Sequence, residues 1–485
     1  MLRTGAFVLT TLLLGVSSHG TNALELEECR ISAGPAFPGI KARCGTLLRP
    51  ENPADPESPM LAIRVAVVPA LNLQPEPDPI MPLAGGPGQG AVQFYAAYAA
   101  AFEHVRRDRD ILLVDQRGTG NSARMDCPID EELIEGQYSV KLTVEYTKTC
   151  LEQLPHDPRY FTTSIAVQDL EAVREALGYP RLNLYGVSYG TRVAQHYAKR
   201  YPDSTRTIVL DGVVPPQLAL GPDIAIEAQK AIDSIFARCA ADDACNERYP
   251  DIAASFASLK SRLTKKPVKV SVAHPVTGRI DSLTFGRNEL AASVRLLAYS
   301  PRTIAMLPLL VSEAASGNYQ PLAAQYQMTL LSLADALALG MHNTVMCTED
   351  VPFYSDALID KAALDASFIG PMQLEALEAI CSVWPAGPID DDFKQALSTE
   401  IPTLLLSGSA DPITPPHYAD MAARNLKRAW LITGRHQGHG QVAVGCMPRI
   451  IERFINNEKL RDGDADCYQS SFVMPFFLDF AGPQP

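Results

Sequence analysis

RLNLYGVSYGTRVAQHYAKRYP, residues 181–202, decides how this chain folds. An apolar strand around Leu182 and Leu184 runs into Gly186-Val187-Ser188-Tyr189-Gly190, and Thr191 and Arg192 open a helix at once. This is a G-x-S-x-G pattern in the setting of strand, tight turn and helix that its chemistry needs. In so sharp a turn a Cβ at either glycine would collide with the neighbouring strand or helix. The turn holds Ser188 in a strained backbone conformation, its hydroxyl exposed at a helix N-terminus whose amides favour developing negative charge.

Working outward, strand-like apolar runs alternate with helix-like segments, as a mostly parallel, doubly wound sheet requires. Leu61–Val68 is an early strand. The proline-rich Pro69–Pro82 is a surface turn, and Pro79–Leu83 leads into Ala84-Gly85-Gly86-Pro87-Gly88. Asp110–Val114 leads into Asp115-Gln116-Arg117-Gly118, where Arg117 is expected to brace loops rather than to react. Ile165–Leu177 is a helix before the serine strand, and Thr207–Leu210, Ile401–Leu406 and Ala429–Ile432 are later strands. Between Pro216 and Lys394 the character changes to alanine- and leucine-rich helices (Ile224–Cys239, Leu322–Leu339, Pro371–Ile380), with Val268–Val272 the one strand. The expected organisation is a leader over residues 1–23, a first core part over 24–215, a helical cap inserted between core strands over 216–394, and a C-terminal core part over 395–485.

Composition narrows the partners. The 485 residues are 47% hydrophobic and 20% charged, the balance of an ordinary globular protein. A net charge of −13 leaves no basic excess to neutralise phosphates, which argues against nucleic acid. Arg3, the short apolar run Ala6–Val16 and the small residues at Thr21 and Ala23 read as a secretory signal peptide. That run is too short to span a bilayer, and no other stretch is long and apolar enough, so no stable membrane association is expected. Ten cysteines fall into neighbouring pairs: Cys29/Cys44, Cys127/Cys150, Cys239/Cys245, Cys347/Cys381 and Cys446/Cys467. Such pairs fit disulfides in a periplasmic or secreted protein, although sequence alone leaves their connectivity open.

A serine hydroxyl becomes a nucleophile when a histidine takes its proton and a carboxylate orients that histidine. Asp411, in Gly408-Ser409-Ala410-Asp411, and His439, in Gln437-Gly438-His439-Gly440, follow Ser188 in the order Ser, Asp, His. His436 competes for the base; His439 is preferred because flanking glycines let its loop reach over the sheet. His436 and His439 without a third ligand do not make a metal site, and no cofactor is needed. The oxyanion needs two backbone N–H donors. Tyr189 offers one, and the glycine-rich turn offers the other, with Gly86 the first choice and Gly85 the next.

These motifs together resemble the α/β-hydrolase fold family of prolyl iminopeptidases and tripeptidyl aminopeptidases. Ala84-Gly85-Gly86-Pro87-Gly88, Asp115-Gln116-Arg117-Gly118, Gly186-Val187-Ser188-Tyr189-Gly190 and Gly438-His439-Gly440 carry the likeness, as do Cys44-Gly45-Thr46-Leu47 and Gly445-Cys446. Ala84 stands where the family often has histidine, which bears on loop bracing and not on the backbone donors. The resemblance implies an α/β-hydrolase fold and a serine exopeptidase acting on peptides with a free N-terminus. It also implies an acidic group in the cap to bind the substrate's α-ammonium. Glu349 and Asp350, in Cys347-Thr348-Glu349-Asp350, are the candidates, against a competing reading as a solvated helix start. Two other functions stand beside this one: a carboxylesterase or lipase on the same triad, and a non-catalytic binding protein on a hydrolase scaffold. Retention of Ser188, Asp411 and His439 speaks against the last.

Overall fold

A computed structural model of the chain describes residues 24–34, 37–127, 139–469 and 473–483, so the expected leader lies outside the described residues. Its strands are β1 (Glu27–Ile31), β2 (Ile40–Pro50), β3 (Met60–Val68), β4 (Ile80–Leu83), β5 (Ile111–Val114), β6 (Leu182–Val187), β7 (Thr205–Asp211), β8 (Val268–Ala273), β9 (Ile280–Phe285), β10 (Thr403–Gly408) and β11 (Ala429–Gly434). Nine of them form one sheet in the order β1-β2-β3-β5-β4-β6-β7-β10-β11. The first three pair antiparallel, and β3 meets β5 antiparallel; from β5 through β4, β6, β7 and β10 to β11 every pairing is parallel. Strands covered on both faces read as continuous apolar runs. All residues of β4, β5, β6 and β10 are accordingly buried.

Between β7 and β10 the chain builds a second body of helices with its own apolar core, including Ile232, Phe256, Leu259, Leu310 and Phe368. It holds a hairpin, β8–β9, where the sequence had suggested a single strand. The missed strand reads IDSLTF and leaves Ile280 exposed, so it carries too weak an apolar pattern to stand out. β1 and β2 escaped for the same reason, because both leave several residues exposed.

Six helices matter for the site: α1 (Thr163–Ala176), α2 (Tyr189–Arg200), α3 (Arg287–Leu297), α4 (Gln320–Ala336), α5 (Leu339–Val345) and α6 (Met447–Asn457). The junction of α4 and α5 returns to the sheet, where Ala338 N donates to Gly88 O at 3.0 Å and Leu337 bridges Gln89. One turn of π-helix, Met346–Asp350, then packs under α2. Five disulfides join neighbouring cysteines: Cys29–Cys44, Cys127–Cys150, Cys239–Cys245, Cys347–Cys381 and Cys446–Cys467. They mark a protein that matures outside a reducing cytoplasm. Among the described residues no helix is long and apolar enough to cross a membrane.

Candidate active site

Ser188 sits at the carboxyl edge of the sheet, between β6 and α2, with φ 56° and ψ −127°. That is a left-handed conformation a serine adopts only when its surroundings enforce it. The enforcement is visible. A Cβ at Gly186 would lie 2.3 Å from Gly190 O, and one at Gly190 would lie 2.1 Å from Leu83 O. Ser188 N donates to Asp211 O at 2.9 Å, and Thr191 Oγ1 donates to Ser188 O at 2.6 Å. Ser188 is half-buried among residues that are almost all buried.

Tyr189 begins α2, and its ring is buried with 2% exposure. The glycine-rich turn after β4 packs on the serine: a Cβ at Gly85 would stand 2.9 Å from Ser188 Cβ. Gly86 follows with φ 109° and abuts Leu337 of the inserted body, whose Cδ2 a Cβ at Gly86 would meet at 2.9 Å. The turn thus lies between Ser188 and the insert, in reach of both.

Asp411 and His439 meet over the ends of β10 and β11. His439 Nδ1 is 2.8 Å from Asp411 Oδ2. Asp411 Oδ1 accepts the N–H groups of Ile413 and Thr414, each at 2.9 Å, which fixes the carboxylate's rotation. Thr414 Oγ1 donates to Asp411 Oδ2 at 2.7 Å and stands 3.0 Å from His439 Nδ1. His439 N donates to Tyr299 O at 2.8 Å, and the two rings meet edge to face at 5.1 Å. The imidazole lies against Gly212, where a Cβ would be 2.8 Å from His439 Cε1. No hydrogen bond joins Ser188 Oγ to His439 among the described residues; Asp211 and Gly212 link them. His436 does not meet Asp411; its backbone N–H goes to Ser409 Oγ and its ring accepts from Arg435. Burial alone would lower the His439 pKa, but the charge and hydrogen bond of Asp411, with help from Asp211, hold it above 6.5.

The insert supplies the other wall. Arg295, at the end of α3, donates from Nη1 to Gln373 Oε1 at 3.0 Å, while its buried Nε has no partner. Burial lowers the pKa of His342 on α5 and the Arg295 charge adds to it; the same charge works against the raised pKa of His439.

Glu349 and Asp350 are in neither of the places that the sequence suggested. Both side chains are 0% exposed. Asp350 takes a two-pronged ion pair from Arg192 of α2 at 2.8 and 2.8 Å, and it also accepts from Leu220 N at 2.9 Å. Arg192 overcomes the effect of burial and holds the Asp350 pKa below its ordinary value. Glu349 accepts from Thr163 N at 2.7 Å and Thr163 Oγ1 at 2.9 Å; Thr163 Oγ1 in turn lies 2.5 Å from the Tyr189 hydroxyl. Burial pushes the Glu349 pKa up to about 7. As placed, the pair braces the helix behind the serine and offers a substrate ammonium no free carboxylate oxygen. The reason is a partner the motif did not include, Arg192, four residues beyond Ser188.

Arg117 braces as expected: it is 0% exposed, holds Asp169 at 2.7 and 2.9 Å, and donates to the carbonyls of Glu51 and Tyr160. Thr414, Arg295, Tyr299 and Asp211 were not singled out in the sequence. Thr414 had a local signal, three residues after Asp411; the others reach the site only through the fold.

A family model described as the alpha/beta hydrolase fold matches residues 78–440. The chain is 25% identical over 492 residues to the serine protease Hip1 of Mycobacterium tuberculosis, spanning 92% of this chain and 91% of that protein. It is 31% identical over 168 residues to the tripeptidyl aminopeptidase of Streptomyces lividans, a match covering 30% of this chain and 31% of the other. Among solved structures, the proline iminopeptidase of Mycobacterium smegmatis aligns over 85% of this chain and 97% of its own, with 14% identity and a TM-score of 0.38.

Proposed function

Since the chain belongs to the alpha/beta hydrolase fold family, we propose that it is a serine peptidase releasing residues from a free N-terminus through an acyl-enzyme on Ser188. The observation that carries the mechanism is the pairing of His439 Nδ1 with Asp411 at 2.8 Å, beside a serine held at φ 56°. Ser188 Oγ attacks the scissile carbonyl as His439 takes its proton, and Asp411 orients the ring and stabilises its charged form. Negative charge on the carbonyl oxygen is met by the amides of Tyr189 and Gly86. His439 then protonates the leaving amine, and water hydrolyses the ester by the same route in reverse.

Peptide substrates are supported by the likeness to Hip1 over almost the whole chain, and a free N-terminus by the shorter match to tripeptidyl aminopeptidase. With Glu349 and Asp350 engaged inside the fold, no residue is assigned to the substrate's ammonium.

The test is hydrolysis of Pro-, Ala- and Ala-Ala-Pro-arylamides, their N-acetylated forms and p-nitrophenyl butyrate, with Ser188→Ala alongside. Cleavage of the free-amine arylamides alone is expected, and the best chain length gives the number of residues released. Turnover of the ester alone would overturn the peptidase reading in favour of a carboxylesterase.

A further inference from the structure

Asp211 ends β7 with its side chain fully buried, and it touches both the serine turn and the loop that follows His439. Its backbone carbonyl accepts Ser188 N at 2.9 Å. Its carboxylate accepts Gln441 N at 2.8 Å on both oxygens, Val442 N at 2.9 Å and the Tyr185 hydroxyl at 2.8 Å. Gln441 follows His439 by two residues, and its own side chain is tied at both ends. Its Nε2 donates to Gly438 O at 2.8 Å, and its Oε1 accepts the Tyr468 hydroxyl at 2.5 Å. The next residue, Gly212, donates its N–H to Leu406 O of β10, the strand that leads to Asp411, at 3.0 Å. One dipeptide thus joins the serine turn, the histidine loop and the aspartate strand.

We propose that Asp211 is a positioning residue that fixes His439 relative to Ser188 and keeps a second negative charge near its imidazole. This rests on the reading of Ser188 as nucleophile and His439 as base. A loop could be fastened by a neutral acceptor, and a carboxylate without water is costly unless its charge has a use. The titratable groups around it are Tyr185 on β6, Tyr98 at the end of the helix Ala91–Tyr98, Tyr468 near the C-terminus and His439. Burial is the largest influence on Asp211 and pushes its pKa up to about 6, while the hydrogen bonds from Tyr185, Gln441 and Val442 and the His439 charge hold it down. Asp211 is therefore ionised at neutral pH and its charge helps raise the His439 pKa.

The experiment needs no knowledge of the substrate. An alkyl fluorophosphonate reacts as Ser188 Oγ forms a bond to phosphorus, fluoride leaves and His439 takes the hydroxyl proton. The labelling rate is followed against pH for the wild type, Asp211→Asn and Tyr185→Phe, with melting curves to establish folding. Asp211→Asn is expected to label about 10- to 100-fold more slowly on the plateau, the range for a misplaced catalytic group. Its acid limb should move about half a unit lower, because His439 loses a nearby negative charge. Tyr185→Phe removes a donor to the carboxylate, so Asp211 protonates at higher pH, part of its charge is lost over the limb, and the limb moves the same way by less. Plateaus that fall with both limbs unmoved would make Asp211 a mere fastener and overturn the proposal; wild-type labelling by Asp211→Asn would do the same. Should Asp211→Asn not fold, an unmoved limb in Tyr185→Phe overturns it alone. A wild type that takes no label, or a Ser188→Ala protein that labels equally, would instead refute the reading of Ser188.

Discussion

Replacing Asp350 by alanine separates a brace from a substrate site. The change removes both oxygens that hold Arg192 at 2.8 Å, the acceptor of Leu220 N and the partner of Lys394 Nζ at 3.4 Å. Arg192 would keep Leu218 O and a distant Glu349 oxygen, 3.8 Å away, at 1% exposure. Breaking a buried pair by deleting one partner costs about 3–5 kcal/mol, because the other charge is left without compensation. Glu349 offsets part of this, which places the loss near the bottom of that range, about 3 kcal/mol. Urea unfolding at pH 7 measures it. The sign with pH is fixed: the Asp350 pKa is depressed, so its stabilisation is present above its unfolded pKa and lost as pH falls through the folded one. The variant's deficit should therefore shrink in acid. Converting both partners, as Arg192→Met with Asp350→Leu, should recover much of the loss, since no charge is then stranded. A deficit below about 1 kcal/mol, with KM rising for free-amine substrates and unchanged for acetylated ones, would refute the reasoning and return Asp350 to an ammonium site.

The remaining predictions concern the reaction. His439→Ala should lower kcat by about 10⁵- to 10⁶-fold, whereas His436→Ala should leave it within about twofold, since His436 meets neither Asp411 nor Ser188; single-turnover acylation reads both. Thr414→Val removes the donor to Asp411 and the contact with His439 Nδ1, and should cut kcat about tenfold, the value of one lost hydrogen bond to a charged group, with KM unchanged. The acid limb of kcat/KM should lie above 6.5, the ordinary histidine value, because the net of burial and Asp411 raises His439. Arg295→Gln should move that limb higher still, as it removes a charge that disfavours the imidazolium; a limb that moves down would contradict the placement of Arg295 near His439.

Much of this was legible in the chain alone. Strand, turn and helix around Ser188 could be read because a buried parallel strand is mostly apolar and a turn this tight admits only glycine two residues to either side of the serine. The order Ser188, Asp411, His439 followed from loops at the ends of apolar runs, and neighbouring cysteines are the pairs the fold joins. Other features could not be read locally. Glu349 and Asp350 looked like free carboxylates because Arg192 and Thr163, their partners, lie 158 and 186 residues away in sequence. Local pattern favoured His439 over His436, but which ring meets Asp411 depends on packing: Gly212 and Tyr299, far apart in sequence, seat the His439 ring there. Asp211 passed as the end of a strand until the fold brought Gln441 and Val442 onto its carboxylate. Periodicity and turn chemistry act over a few residues and are written in order along the chain. Which charge meets which depends on long-range closure, and only the tertiary structure decides that.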